Sequence, residues 1–315
     1  MLTINNLCFS YDQKQILNNL TFSIAQGQNV AILGESGCGK STLLKLIYGL
    51  LDTNQGQITL NDHKLLGPKF NLIPGHDSMK YLAQDFDLMP FTTVTENIGQ
   101  FLSNVNPQKK AARVLELLQI VEMQDFADTK TRFLSGGQMQ RVAIARVLAN
   151  EPKVLLLDEP FSHIDNFRKN ALRRNLFGYL KNQNISCLVA THDSTDALSF
   201  SDQTIVIQAG RILQQGESHF IYNNPINKYV GSLFGEINEL PKTFFDHNAS
   251  HDQLLLCYPN QIFVSETGKL KVNVRKSYFK GSHYLIKAVA EKRVVFFEHP
   301  RPLLFNQEIL LDIQV

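Results

Sequence analysis

At 315 residues, with 43% hydrophobic and 19% charged side chains, the chain can bury a large core and still supply a second domain. A formal charge of +2 is too small for a protein organised around nucleic-acid phosphates, so no nucleic-acid partner is expected. Cys8, Cys38, Cys187 and Cys257 form no CxxC pair, which argues against a zinc cluster or disulfide framework and suits a reducing compartment. No apolar run approaches the roughly 20 residues of a membrane span, and polar Asn5, Asn6 and Asp12 arrive too early for a secretory leader.

From the N-terminus, short apolar stretches alternate with turn residues: Ile4 to Tyr11, Leu20 to Ile24 and, after the Gly27 turn, Val30 to Leu33. These read as strands. The next segment, Gly34-Glu35-Ser36-Gly37-Cys38-Gly39-Lys40-Ser41, matches the GxxxxGK[ST] phosphate loop and leads into a helix over Ser41 to Leu50, with Leu43, Leu44 and Ile47 at helical spacing. Its glycines let backbone N–H groups converge on phosphates, and the helix N-terminus adds donors and a positive dipole end. Lys40 supplies a full charge and Ser41 a small hydroxyl suited to Mg²⁺.

Between about Gln84 and Asn150 the pattern turns helical, as in Lys110 to Ile120 with Val114, Leu117 and Leu118 on one face. Within it, Ser135, Gly136 and Gly137 open another helix, a second anion-binding N-terminus or a plain structural cap. Val154 to Leu157 and Ser186 to Ala190 are almost wholly apolar, as expected of parallel strands covered on both faces. The first ends on Asp158 and Glu159, two carboxylates at the sheet edge where ligands bind in open α/β folds. Asp158 suits a metal's water shell, and Glu159 suits polarisation of an attacking water.

Regularity fades over Asn223 to Pro241. Beyond it, Leu270, Val272 and Val274 alternate with polar residues, and Tyr284 to Val289, Val294 to Phe297 and Ile309 to Val315 add strand-like runs, which predicts a small β-barrel or sandwich. His247 and His251 lie four apart in a polar stretch and read as part of a solvated linker.

Leu134-Ser-Gly-Gly-Gln138, followed by Met-Gln-Arg-Val-Ala-Ile-Ala-Arg146, resembles the signature segment of ATP-binding cassette (ABC) proteins. Tyr11, Gln84, Ser162-His-Ile-Asp165 and His192 stand in the order that family has them. The resemblance implies a P-loop NTPase cassette with a parallel core sheet, antiparallel N-terminal strands and a helical subdomain. It sets the nucleotide-binding domain at 1–235 with its helical subdomain at about 85–150, a linker at 236–252, and a small β domain at 253–315.

The cofactors implied are ATP and Mg²⁺. The resemblance assigns nucleotide contacts to Tyr11, residues 34–42 including Thr42, and Ser135, Gly136, Gly137 and Gln138. Ser41, Gln84 and Asp158 would serve the metal, and Glu159, His192 and Gln84 the hydrolysis. It also implies that one chain's signature faces the phosphate held by another, so two copies would sandwich ATP.

Met139 departs from the family's usual Gln, and His163-Ile164 from its usual Ala-Leu. The segments 85–98 and 191–198 are similar to ATPase subunits of bacterial solute importers. That likeness implies membrane permease subunits as partners, an extracytoplasmic solute-binding protein acting through them, and a peripheral location on the cytoplasmic face of the inner membrane. Leu88, Met89 and Phe91 are either permease contacts or core residues. The C-terminal region is similar to the TOBE-type β domain appended to importers of ferric iron, oxyanions, polyamines or sugars, although Tyr258 and Asn260 depart from that pattern; it would bind a regulatory ligand or enlarge the dimer interface. A soluble ABC ATPase that remodels a ribosome or nucleic-acid complex is the alternative reading.

Overall fold

The computed structural model describes residues 2–246, 249–250 and 252–314 and divides into two compact units, Met1–Ile221 and Tyr222–Val315. The first unit opens with β1 (Leu2–Tyr11), β2 (Lys14–Ile24), β3 (Asn29–Leu33), α1 (Lys40–Tyr48), β4 (Gln55–Leu60), β5 (His63–Lys64) and β6 (Met79–Leu82). Helices α2 (Val94–Gly99), α3 (Pro107–Ile120) and α4 (Gly136–Leu148) follow. The unit continues with β7 (Val154–Asp158), α5 (Asn166–Asn182), β8 (Ser186–Thr191), α6 (Ser194–Phe200), β9 (Gln203–Gln208) and β10 (Arg211–Glu217), and α7 (Ser218–Asn223) crosses the division.

Two sheets form this unit. The order β2-β1-β4-β5 is antiparallel, while in β10-β9-β3-β8-β7-β6 every pair is parallel except the β10–β9 edge. β3, β7 and β8 are buried at every residue, as expected of strands covered on both faces. Leu43, Leu44, Leu46 and Ile47 of α1 join residues of both sheets in one apolar core. Each such side chain contributes roughly 1.5–3 kcal/mol through burial, enough to fix where the N-terminus of α1 points.

α1 stops two residues short of Leu50, because Gly49 takes a left-handed conformation at φ 82° and returns its N–H to Leu46 and Lys45. α3 begins earlier than its apolar stripe, at Pro107 after the Asn106 cap, whose side chain accepts from Lys109 N.

The second unit holds α8 (Lys228–Ser232), β11 (Asn238–Pro241), β12 (Leu254–Cys257), β13 (Ile262–Val264), β14 (Leu270–Phe279), β15 (Tyr284–Ala290), β16 (Arg293–His299) and β17 (Glu308–Ile313). β11 pairs with β12, and the remaining strands form an antiparallel sheet, β13-β17-β14-β15-β16, whose edge strands β13 and β16 approach each other in barrel fashion. Leu270, Val272 and Val274 do face its core, with Ile286, Ala288, Val295, Phe297 and Leu311.

Two sequence expectations differ here. The division falls at residue 221 instead of 235, and the supposed linker 236–252 contains strand β11. Asn238 and Pro241 read as turn residues, yet Asn238 is buried and its amide acts as a strand mimic, donating to Phe296 O at 2.8 Å and accepting from Phe296 N at 2.7 Å. The His247 and His251 pair lies outside the described residues.

A candidate nucleotide site at the sheet edge

Register decides what meets at the edge. β3 runs parallel to β8 with Leu33 opposite Thr191, β8 pairs with β7 with Ala190 opposite Asp158, and β7 pairs with β6 with Leu157 opposite Leu82. The carboxyl ends of four strands are thereby level. They release the 34–41 loop, Glu159, His192 and the segment bearing Gln84 along one edge, where open α/β sheets place ligands.

The loop has the backbone of an anion cradle. Gly37 and Gly39 stand at φ 82° and 109°, in the left-handed region that costs glycine nothing, and Gly39 is the N-cap of α1. At Gly34 a Cβ would lie 2.3 Å from Ile207 O, so only glycine lets the loop leave β3 this close to β9. Lys40 is 5% exposed and its Nζ donates to Gly34 O at 2.7 Å and Glu35 O at 3.0 Å. The ammonium is held at the loop mouth by its own carbonyls. Cys38 Sγ lies 3.9 Å from that ammonium, and burial, against the opposing pull of Lys40, pushes its thiol up, so Cys38 is a neutral loop residue.

Ser41 Oγ donates to Asp158 Oδ1 at 3.0 Å, and Tyr81 OH donates to Asp158 Oδ2 at 3.2 Å. Burial raises the Asp158 carboxyl above its usual range, with the nearby Glu159 adding to the rise and the Ser41 and Tyr81 hydrogen bonds opposing it. Among the described residues no group of three His, Cys, Asp or Glu side chains could hold a metal. One hydroxyl beside one buried carboxylate fits an ion that draws most of its oxygen ligands from water and phosphate, as Mg²⁺ does.

Glu159 follows Asp158 at φ 49°, a left-handed conformation uncommon for a non-glycine residue. It is held from both sides: its N–H donates to Ala190 O at 2.9 Å, and Gln140 Nε2 donates to its carbonyl at 2.9 Å. Its side chain is 21% exposed and stands 3.4 Å from Nδ1 of the open His192 ring. Behind His192, Arg173 pairs with Asp196 at 2.7 Å and Asp193 at 2.5 Å, and Thr191 Oγ1 donates to Asp196 at 2.6 Å. This buried network locks the turn that carries the imidazole.

Ser135 caps α4 in a reciprocal box with Gln138: Ser135 Oγ accepts from Gln138 N at 3.3 Å, and Gln138 Oε1 accepts from Ser135 N at 2.8 Å. A Cβ on Gly137 would sit 2.7 Å from His163 O, so the turn presses against the segment after Glu159. The groove beside it is lined by Ser135 to Gln138, Arg141 and His163 to Asp165 with Arg168, and not by the 34–42 loop. The chain thus carries two glycine-bearing turns at helix N-termini, and the 34–42 loop does not line the groove beside the second.

Tyr11 ends β1 with its ring 43% exposed, edge-on to Phe9 at 4.8 Å. Gln84 is exposed past the end of β6. Of the three apolar residues near it, Leu88 and Met89 are half-buried while Phe91 is 69% exposed under the Arg132 guanidinium.

Three residues were not singled out from sequence. Tyr81 hides in an apolar strand, Gln140 is an unremarked position of α4, and Arg173 lies on a polar helix; their partners lie 77, 19 and 23 residues away.

A family model described as ABC transporter matches residues 17–162. The Fe(3+) ions import ATP-binding protein FbpC of Haemophilus influenzae is 35% identical over 257 residues, 81% of this chain and 73% of its own length. The spermidine/putrescine import ATP-binding protein PotA of Mannheimia succiniciproducens is 38% identical over 240 residues, 76% of this chain and 63% of its own. Among solved structures, a dimeric post-hydrolysis state of the ATP-binding cassette MJ0796 with ADP and Pi aligns at a TM-score of 0.62 and 29% identity, over 69% of this chain and 99% of that one. CbiO1 from Clostridium perfringens, part of the transporter complex cbiONQ, aligns at 0.62 and 29%, over 73% and 92%.

Proposed function

We propose that this chain, which belongs to the ATP-binding subunits of ABC transporters and hydrolyses ATP, works as a dimer of two copies that clamp the nucleotide and drive a separate membrane permease. The first unit is the nucleotide-binding domain, and the second is a TOBE-like domain that enlarges the contact between copies.

In this reading Tyr11 stacks on adenine. The N–H groups of residues 34–42, from Gly34 through Glu35, Ser36, Gly37, Cys38 and Gly39 to Thr42, cradle the phosphates, and Lys40 moves from the Gly34 and Glu35 carbonyls onto the β- and γ-phosphates. Ser41, Asp158 and Gln84 would hold Mg²⁺, which neutralises phosphate charge when bound.

Glu159 takes a proton from water as the water oxygen attacks the γ-phosphorus; the bond to the bridging oxygen breaks, leaving ADP and phosphate. His192, 3.4 Å from Glu159, hydrogen-bonds the γ-phosphate as the charge shifts. Ser135, Gly136, Gly137 and Gln138 of the other copy close the site from the opposite side. Hydrolysis then removes the anion that holds the two copies together, and the pair opens.

The observation that carries this reading is the level row of strand ends bearing the 34–41 loop, Asp158, Glu159 and His192, together with a signature groove that the loop does not line. Import of a solute of the ferric-iron, oxyanion, polyamine or sugar kind is supported by the 35% and 38% identity to import subunits for Fe(3+) and for spermidine/putrescine. An extracytoplasmic binding protein would deliver that solute to the permease. None of the described helices is long and apolar enough to cross a membrane. The chain would therefore reach the cytoplasmic face of the inner membrane through its permease, with exposed Phe91 as a contact.

The deciding experiment is Glu159→Gln, measured for ATP turnover and for size on gel filtration. Turnover should fall by about a hundredfold or more, within the range general-base removal costs, while ATP and Mg²⁺ drive the variant into a stable dimer. A variant that binds ATP and stays monomeric would count against the clamp.

A further inference from the structure

Two segments that the proposed chemistry uses adopt unusual backbone conformations, and both are gripped by one helix. After Gln84, Phe86 and Asp87 stand in succession at φ 61° and 48°, and after Asp158, Glu159 stands at φ 49°. Non-glycine residues hold the left-handed region only where their surroundings enforce it. α4 supplies much of that enforcement. Its Arg146 donates to Asp87 O and lies 3.5 Å from Asp87 Oδ2. Its Gln140, 2% exposed, donates to Glu159 O at 2.9 Å and accepts from His163 N at 3.0 Å.

These grips leave one side of a triangle open, and His163 closes it. Its ring meets Phe86 edge to face, with centroids 5.3 Å apart at 81°, while its Nδ1 lies 3.0 Å from Ser162 Oγ, which fixes the ring's direction. Alanine, the residue more usual here in the family, has no ring to reach Phe86. The contact therefore joins the Gln84 segment directly to the Glu159 segment in this chain.

We infer that Phe86 and His163 are a pair of positioning residues that set Gln84 against Glu159, so that the hydrolysis step depends on their contact and ATP binding does not. Neither ring need touch the nucleotide. Without the pair that direct contact is lost, and each left-handed segment keeps its separate ties, Asp87 to Arg146 and Glu159 to Gln140 and Ala190 O, so that one can shift independently of the other. This inference rests on the roles given above to Gln84 and Glu159.

Steady-state ATPase kinetics of the full chain test it, using His163→Ala, Phe86→Leu, the double variant and His163→Phe, with Glu159→Gln as control and thermal melts to verify folding. Each single variant should lower kcat about two- to tenfold, the range an edge-to-face aromatic pair carries, with KM for ATP within about twofold of the parent. The double variant should be no slower than the slower single one, because one contact is lost only once. His163→Phe keeps an edge-to-face partner and should recover most of the rate. If Phe86→Leu fails to melt cooperatively, His163→Ala against His163→Phe still decides.

Unchanged kcat in His163→Ala, multiplying losses in the double variant, or a change confined to KM each overturns the pair. If Glu159→Gln itself retains full turnover, the assignment of Glu159 fails instead, and the two failures are distinct.

Discussion

Two helix N-termini in this molecule are the ones the proposed mechanism sets against phosphate, and they are finished in opposite ways. At α1 the cap is Gly39, which brings no side chain, and the nearest cation, Lys40, is parked on loop carbonyls. At α4 the cap is Ser135, and its hydroxyl and the Gln138 amide satisfy each other's backbone groups in a closed box. In the proposed mechanism the first end takes a phosphate, with the Lys40 charge held beside it. The second has its cap groups satisfied within the chain and, in that mechanism, would meet a phosphate only when one is presented from outside. This difference matches a division of labour in which one turn binds nucleotide within its own chain and the other reports on nucleotide held by a second copy.

The largest effect that would test this contrast is expected at Lys40. Lys40→Ala removes the ammonium proposed to meet the phosphates, a net loss of about one charge-assisted bond or about 1.5–3 kcal/mol, so ATP binding to the isolated subunit should weaken about ten- to a hundredfold by titration calorimetry. A variant that binds as tightly as its parent would erase the distinction between the two turns. Gly137→Ala should act on the other turn alone. Its Cβ would stand 2.7 Å from His163 O, which is backbone and cannot step aside, whereas a Cβ on Gly136 would meet His163 Cβ at an ordinary 3.9 Å. Turnover of Gly137→Ala should fall about tenfold, the cost of a displacement worth about 1.4 kcal/mol, with ATP affinity within about twofold of the parent; Gly136→Ala should lose less. Equal losses in both would refute the packing argument.

How much of this was legible in the sequence follows from how far each feature reaches along the chain. The 34–41 loop, the Asp158-Glu159 pair and the 134–138 turn are contiguous, because each is a constraint on a few successive backbone units, and their residues must stand side by side. The buried runs of β7 and β8 are equally local. Tyr81, by contrast, reads as one more apolar strand residue, and only the parallel pairing of β6 with β7 brings its hydroxyl to Asp158. Gln140 and Arg173 likewise act through partners supplied by other elements. Polar β4 and the edge strand β10 lack a clear alternation, and β11 is masked by Asn238, which is buried through side-chain hydrogen bonds that no hydropathy pattern encodes. His163 was visible as a departure from the family pattern, but its partner Phe86 was not, because their contact depends on two left-handed residues in the loop after Gln84.

The smallest expected effect separates the two things Ser135 does. Ser135→Ala opens the capping box, which should cost about 0.5–2 kcal/mol of helix stability and lower the melting temperature of the nucleotide-binding unit by about 2–4 °C per kcal/mol. Asp caps a helix as well as Ser does and complements the positive end of its dipole, so Ser135→Asp should melt no lower than the parent. Its carboxylate would nevertheless repel a phosphate brought in by a second copy, and turnover should fall further in Ser135→Asp than in Ser135→Ala although it is the more stable of the two. Stability and activity moving in opposite directions is a result that a purely structural cap cannot produce. If the two variants instead rank alike in melting and in turnover, Ser135 is a helix cap and nothing more, and the contrast between the two turns disappears.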